Sequence, residues 1–118
     1  MAGHLLLIDD SAISRKMIKA NLPPGDYTIA EAGGGREGLE QYQAHRADLV
    51  LLDLTMPDMD GFETLTRLKD LDPEARVVIQ SADVQESSRE KAFALGAEDF
   101  LMKPPKADAL RQLIESCV

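Results

Sequence analysis

A chain of 118 residues with 44% hydrophobic and 29% charged residues has the composition and length of a globular protein, so we expect a single domain over residues 1–118. Its 13 basic and 21 acidic residues give a formal net charge of -8, which argues against direct binding to nucleic acid or to an anionic membrane. Cys117 is the only cysteine, and the apolar stretch near the N-terminus is too short for a signal peptide or a membrane span, so we expect a cytoplasmic protein.

The first predicted strand ends in two acids. Leu5-Leu6-Leu7-Ile8 is a continuous apolar run, typical of a strand buried on both faces, and Asp9-Asp10 follow it directly. Ser11 is placed to cap the next helix. The apolar residues of that helix recur at helical spacing: Ile13, Met17 and Ile18. Taken alone, Asp9-Asp10 also fits a solvated helix cap, but adjacent carboxylates held together need a cation or a proton.

The second strand is followed by a glycine-rich motif that we interpret as structural. Tyr27 to Glu31 alternates apolar and polar residues, which indicates an edge strand. The run Gly33-Gly34-Gly35-Arg36-Glu37-Gly38 satisfies the G-x-G-x-x-G pattern of dinucleotide-binding proteins. Too little chain follows it for a second nucleotide-binding half. We therefore favour a loop into a helix with Leu39 and Tyr42 facing the sheet.

The third predicted strand, Leu49 to Leu52, ends in Asp53 at the edge where open α/β sheets place their ligands. Asp53 is thus a candidate for chemistry, although aspartate is also common in plain turns. The segment Asp58 to Gly61 resembles part of a calcium loop, but that register would require Met56 and Arg67 to act as ligands, so we reject it. Instead Asp60-Gly61 should begin a helix. Its predicted inward residues are Phe62, Leu65, Leu68 and Leu71.

The fourth and fifth predicted strands are followed by a hydroxyl and an ammonium group, respectively. Arg76 to Gln80 forms the fourth strand and leads into Ser81, which alone would be read as a cap. Ala82-Asp83 then leads into a helix that Gly96 closes. The fifth strand, Phe100 to Met102, ends in Lys103-Pro104-Pro105. The last helix, Ala107 to Cys117, should turn these residues inward: Leu110, Leu113, Ile114 and Cys117.

Strands and helices alternate five times, which predicts a doubly wound parallel sheet with helices on both faces. The residues at the strand ends should then meet at one edge: Asp9, Asp10, Asp53, Ser81 and Lys103. Three carboxylates suit a hard cation such as Mg²⁺. The lysine and the hydroxyl would complement further anionic oxygens, as on a phosphoryl group.

Four motifs occur in order at these strand ends: Asp-Asp, Asp-x-x-x-Pro-x-x-x-Gly, Ser/Thr-Ala and Lys-Pro. Together they resemble the response-regulator receiver domain of two-component signalling, the CheY-like family, over essentially the whole chain. The resemblance implies a flavodoxin-like fold with five parallel strands in the order 2-1-3-4-5.

The resemblance also implies roles for individual residues. Asp53 would be the phosphoacceptor that attacks a phosphohistidine of a sensor histidine kinase, giving an acyl phosphate. Mg²⁺ would be bound by Asp10, Asp53 and the backbone carbonyl of Thr55, with Asp9 acting chiefly through water. Lys103 would pair with a phosphoryl oxygen and Ser81 would donate its hydroxyl. In such regulators the Lys-Pro bond after the fifth strand is often cis.

The same resemblance implies an output and leaves its details open. Phe100 matches the family's aromatic switch position, although it also fits a plain core phenylalanine. The fourth helix, fifth strand and fifth helix would form the partner-binding face. Thr55 and Asp83 occupy positions that tune phosphate lifetime. The partner could be a separate chemotaxis effector, a histidine phosphotransfer protein, or a second copy in a phosphorylation-dependent dimer.

Two alternative functions follow from the same residues. A degenerate receiver would act only as a constitutive interaction module, but none of the motif residues is missing. A phosphatase of the haloacid dehalogenase type would use Asp53 as nucleophile, but Asp53-Leu54-Thr55 lacks the second acid of the Asp-x-Asp motif. We therefore expect a switch protein that phosphorylates and slowly dephosphorylates itself, and no turnover enzyme.

Overall fold

The computed structural model describes residues 3–54, 59–82 and 85–117, and within them strands and helices alternate along the chain. The strands are β1 (Gly3–Ile8), β2 (Tyr27–Ala32), β3 (Leu49–Asp53), β4 (Val77–Ser81) and β5 (Asp99–Met102). The helices are α1 (Ala12–Asn21), α2 (Gly35–Ala44), α3 (Gly61–Leu71), α4 (Glu86–Ala94) and α5 (Ala107–Cys117). Among the described residues, no helix is long and apolar enough to cross a bilayer.

The strands form one parallel sheet in the order β2-β1-β3-β4-β5. The predicted fold class and strand order are therefore confirmed, and β2 lies at an edge as its alternating pattern indicates. β1 and β3 occupy the interior of the sheet, and their continuous apolar runs pack on both faces because each face is covered by helices.

Two apolar cores cover the two faces of the sheet. One core packs α2, α3 and α4 against the sheet through residues such as Tyr42, Leu65 and Ala92. The other packs α1 and α5 against the opposite face through Ile18, Leu110 and Ile114. Because successive strand residues alternate between faces, Leu5 and Leu7 belong to the second core while Leu6 and Ile8 belong to the first.

The predicted helix boundaries are largely confirmed. Ser11 caps α1 by accepting a hydrogen bond from the Ser14 N–H, and Asp60 caps α3 in the same way from Glu63. Gly96 follows α4 with a φ of +103°, in the left-handed region that favours glycine.

Some predicted inward residues face solvent. The inward placement of Leu71 is wrong: it is at the last position of α3 and is 45% exposed, while Leu65 and Leu68 are buried. In α1, Ile18 is buried, whereas Ile13 and Met17 are exposed. In α5, Leu110 and Ile114 are buried and Leu113 is partly buried, as predicted. The side chain of Cys117 lies outside the described residues.

Candidate functional site

The carboxyl ends of the strands bring the predicted acids together. One carboxylate oxygen from each of Asp9, Asp10 and Asp53 lies within 4.8 Å of the other two. Asp9 and Asp53 are buried, whereas Asp10 is exposed at the rim. Asp9 is held in line with β1 because its N–H donates to the carbonyl of Ala32, which extends the β1-β2 ladder by one residue.

Lys103 reaches the same cluster from the carboxyl end of β5. Its Nζ lies 2.8 Å from Asp9 Oδ2 and 3.3 Å from Asp53 Oδ2. The backbone directs it there because its N–H donates to the Ser81 carbonyl, continuing the β4-β5 ladder beyond Met102. The Lys103-Pro104 peptide bond is cis, as the family resemblance implied.

The ion pair fixes the charges of its two main partners. Burial works to raise the pKa of Asp9, but hydrogen bonds from Lys103 and from the Ser11 N–H outweigh it and hold the pKa below its ordinary value. Burial works to lower the pKa of Lys103, but the hydrogen bond to Asp9 and the charge of Asp53 outweigh it and hold the pKa above its ordinary value. At neutral pH the site therefore contains a carboxylate anion and an ammonium cation.

Gly61 explains the last position of the Asp-x-x-x-Pro-x-x-x-Gly motif. Its N–H donates to the Leu54 carbonyl at 2.7 Å, which closes the loop after β3. A Cβ on this residue would lie 2.4 Å from the Leu54 Cα and 2.7 Å from the Asp53 carbonyl oxygen. Only a residue without a side chain allows α3 to start this close to the candidate phosphoacceptor.

Ser81 and Phe100 lie on the neighbouring strands β4 and β5, two register positions apart: Phe100 pairs with Ile79 and Ser81 with Met102. Ser81, the last residue of β4, is buried beside the cluster, and Phe100 is 7% exposed within the core that contains Ala92. The aromatic ring thus occupies the interior, which both the switch and the core interpretation allow. Thr55 and Asp83 lie outside the described residues.

Two residues near the site were missed by the sequence analysis. Arg15 donates from one terminal nitrogen to the Asp9 carbonyl oxygen at 2.5 Å and pairs through Nε with Glu31 at 3.0 Å, so it ties the Asp9 loop to α1 and β2. Gln80 is fully buried and is the register partner of Asp53. Its signal was available, because a glutamine directly after Val77-Val78-Ile79 interrupts an otherwise apolar strand.

The donor set fits Mg²⁺. Within the part of the chain that the structure describes, three carboxylates face one ammonium group, which leaves the cluster with excess negative charge, and Mg²⁺ prefers such oxygen ligands together with several waters. Oxygens of Asp9, Asp10 and Asp53 could together hold such a cation.

A parallel sheet in the order 2-1-3-4-5 with this acidic cluster and lysine at its carboxyl edge defines a CheY-like protein of the flavodoxin-like fold. The sequence model described as "Response regulator receiver domain" matches residues 5–115. The chain therefore belongs to the family of response-regulator receiver domains, the signalling modules of two-component systems, which bind Mg²⁺ at an acidic pocket.

Individual relatives agree with this assignment. The chain is 41% identical to the chemotaxis protein CheY of Bacillus subtilis over 115 residues, which cover 97% of this chain and 96% of that protein. It is 33% identical to the regulatory protein LuxO of Vibrio cholerae over 112 residues, 95% of this chain but 25% of LuxO. Among solved structures, CheY from Borrelia burgdorferi in a CheX-CheY-BeF3-Mg complex matches with a TM-score of 0.89 and 31% identity, covering 97% of this chain and 87% of that one.

Proposed function

We propose that this chain is a phosphoacceptor switch that takes a phosphoryl group from a sensor histidine kinase onto Asp53. One observation carries the proposal: Lys103 Nζ lies within 3.3 Å of Asp53 and 2.8 Å of Asp9, in a cluster of three carboxylates. An ammonium group beside a buried carboxylate is suited to hold an incoming phosphoryl oxygen, and the remaining acids are suited to hold the metal.

The proposed reaction is an in-line transfer. An Asp53 carboxylate oxygen attacks phosphorus, a new O–P bond forms, the P–N bond of the phosphohistidine breaks, and the imidazole leaves with a proton from solvent. Lys103 orients and neutralises one phosphoryl oxygen, and Ser81 donates its hydroxyl to another. Bound Mg²⁺ would supply neutralisation of the charge that develops on the phosphoryl group. Thr55, through its backbone carbonyl, completes the proposed metal ligands.

The proposed output follows from the added charge. A phosphoryl group adds about -1.5 to -2 charge at pH 7. Ser81 is drawn toward that charge, and Phe100 and the surface formed by α4, β5 and α5 respond to the movement. A separate effector or a histidine phosphotransfer protein would read this surface. The beryllofluoride and Mg²⁺ named for the Borrelia relative support such a state. We propose that the switch is a single receiver domain of residues 1–118 and acts in the cytoplasm.

The proposal is tested by incubating the protein with a small phosphodonor and Mg²⁺ and measuring the intact mass. One phosphate should be added per chain and then released slowly, because the chain is a switch and no turnover enzyme. Asp53→Asn should abolish the addition. Asp26→Asn, an exposed site at the opposite edge of the sheet, is the matched control and should label like the wild type. Full labelling of Asp53→Asn would refute the assignment.

A further inference from the structure

Gln80 is a polar side chain in a fully buried part of β4. Val77, Val78 and Ile79 precede it, and all four residues are 0% exposed. Neither its Nε2 nor its Oε1 has a hydrogen-bond partner in the part of the chain that the structure describes. A buried polar group without a partner costs about 1–3 kcal/mol, so packing alone gives no reason for a glutamine here.

The register places Gln80 between the two halves of the site. It pairs with Asp53 of β3 on one side and with Leu101 of β5 on the other. Registered residues of neighbouring parallel strands project from the same face, and Lys103 follows Leu101 by two residues. The Gln80 side chain therefore projects from the face covered by α1 and α5. Its strand, β4, lies between β3, which carries Asp53, and β5, which leads to Lys103.

In the phosphorylated, metal-bound site Lys103 would lose part of the hydrogen-bond acceptors that it has here. Its ammonium group has three N–H donors, and its ion-pair partners among residues 3–54, 59–82 and 85–117 are oxygens of Asp9 and Asp53. Once Asp53 carries the phosphoryl group as an acyl phosphate and the acids are engaged with the metal, those oxygens no longer serve the ammonium group alone. An ammonium group turned toward the phosphoryl group would lack part of its hydrogen bonding, which is costly in a partly buried position.

We propose that Gln80 is a positioning residue for Lys103. In the phosphorylated protein its Oε1 accepts a hydrogen bond from the Lys103 ammonium and so holds the ammonium against the phosphoryl oxygen. The inference rests on the proposed function of Asp53. The buried carboxamide of Gln80 thus gains a hydrogen-bond partner in the phosphorylated protein that, among the described residues, it lacks in the unphosphorylated one.

Gln80→Met tests the inference because methionine has a similar length and volume but neither a carboxamide donor nor acceptor. In the unphosphorylated protein the urea midpoint should rise, since an unpaired amide is removed. Phosphorylation by a small phosphodonor with Mg²⁺ should slow about tenfold, the size of effect expected for one hydrogen bond to a charged group. Val78→Ala is the control: it lies on the same face of β4, should lower the urea midpoint, and should leave the rate unchanged.

A spectroscopic readout separates positioning from a purely structural role. The side-chain carbonyl ¹³C resonance of Gln80 should shift when beryllofluoride and Mg²⁺ are added to the wild-type protein. The corresponding resonance of Gln41, whose Nε2 already donates to the Glu31 carbonyl far from Lys103, should stay in place.

The outcomes distinguish the two proposals. A wild-type chain that takes up no phosphate overturns the proposed function and this inference with it. A wild-type chain that is phosphorylated, while Gln80→Met reacts at the same rate or the Gln80 resonance does not move, overturns the inference and leaves the proposed function standing. A stabilised Gln80→Met variant with slowed phosphorylation supports the assignment.

Discussion

Polar clusters of opposite character lie at the two ends of the parallel strands, which we call the carboxyl edge and the amino edge. At the carboxyl edge three carboxylates of the described residues face Lys103, so negative charge is in excess among them. At the amino edge, His4 is well partnered: its N–H donates to Asp48 Oδ2 at 2.7 Å, and its Nδ1 lies 2.7 Å from the Thr28 hydroxyl. Its ring also stacks on His45 with centroids 3.9 Å apart.

This difference shows which polar cluster is built for a ligand. At the amino edge His4 finds its partners within the protein, in Asp48, Thr28 and His45, so this cluster contributes to stability without a ligand. The carboxyl edge leaves charge that a cation would neutralise, at a cost to the stability of the metal-free protein. Function is thus expected at the edge where the protein's own interactions are incomplete.

The largest predicted effect is on the carboxyl edge. Lys103→Ala removes the cation from a fully buried Asp9 and should destabilise the metal-free protein by about 2–3 kcal/mol, less than for a fully buried pair because Lys103 is partly exposed. Arg111→Ala, which breaks exposed pairs with Asp108 and Glu115, is the control and should change little. Urea unfolding measures both. Equal loss in the two variants would show that the ion pair of Lys103 is no more important than a surface pair.

The next largest effect is the stabilisation by Mg²⁺, which should depend on the carboxyl edge and not on the amino edge. Mg²⁺ at a hundred times its dissociation constant should raise the unfolding free energy of the wild type by about 2.7 kcal/mol, because the folded state alone presents the three acids together. Asp10→Asn should need more Mg²⁺ for the same gain, whereas Asp48→Asn at the amino edge should respond like the wild type. A Mg²⁺ response reduced equally in both variants would contradict a site at the carboxyl edge.

The smallest effect concerns pH at the amino edge. Burial, together with the charge of His45, lowers the pKa of His4 although Asp48 acts in the opposite direction. The unfolded chain therefore takes up the proton first, so the contribution of His4 to stability is present above about pH 6.5 and is lost as the pH falls from there to the folded-state pKa. His4→Gln should flatten the stability profile in this window. Thermal unfolding at a series of pH values measures the slope, and an unchanged slope in the variant would exclude His4 as its source.

Most of the fold was predictable because burial on both faces leaves a clear trace in sequence. The apolar runs ending in Asp9 and Asp53 predicted two interior strands, and both lie inside the sheet. The strand order came from the family resemblance, since apolar runs do not specify neighbours. Helical spacing was less informative at helix ends and on α1, where Ile13 and Met17 share the spacing of Ile18 but remain exposed.

The site was predictable in membership but not in geometry. The sequence placed Asp9, Asp10, Asp53, Ser81 and Lys103 at one edge. It did not show that Asp9 is buried against Lys103 while Asp10 is exposed, a difference that arises because neighbouring residues in extended chain point to opposite sides. The partnership of Gln80 with Asp53 also depends on register, which no local pattern reveals.

The central claim is that Asp53 is the one carboxylate of the cluster that accepts the phosphoryl group. The most direct measurement treats the phosphorylated protein with borohydride, which reduces an aspartyl phosphate to homoserine, and then locates homoserine by peptide sequencing. We predict homoserine at position 53, in amounts that depend on Mg²⁺. Homoserine at position 9 or 10, or its absence from a protein that has taken up phosphate, would contradict the account.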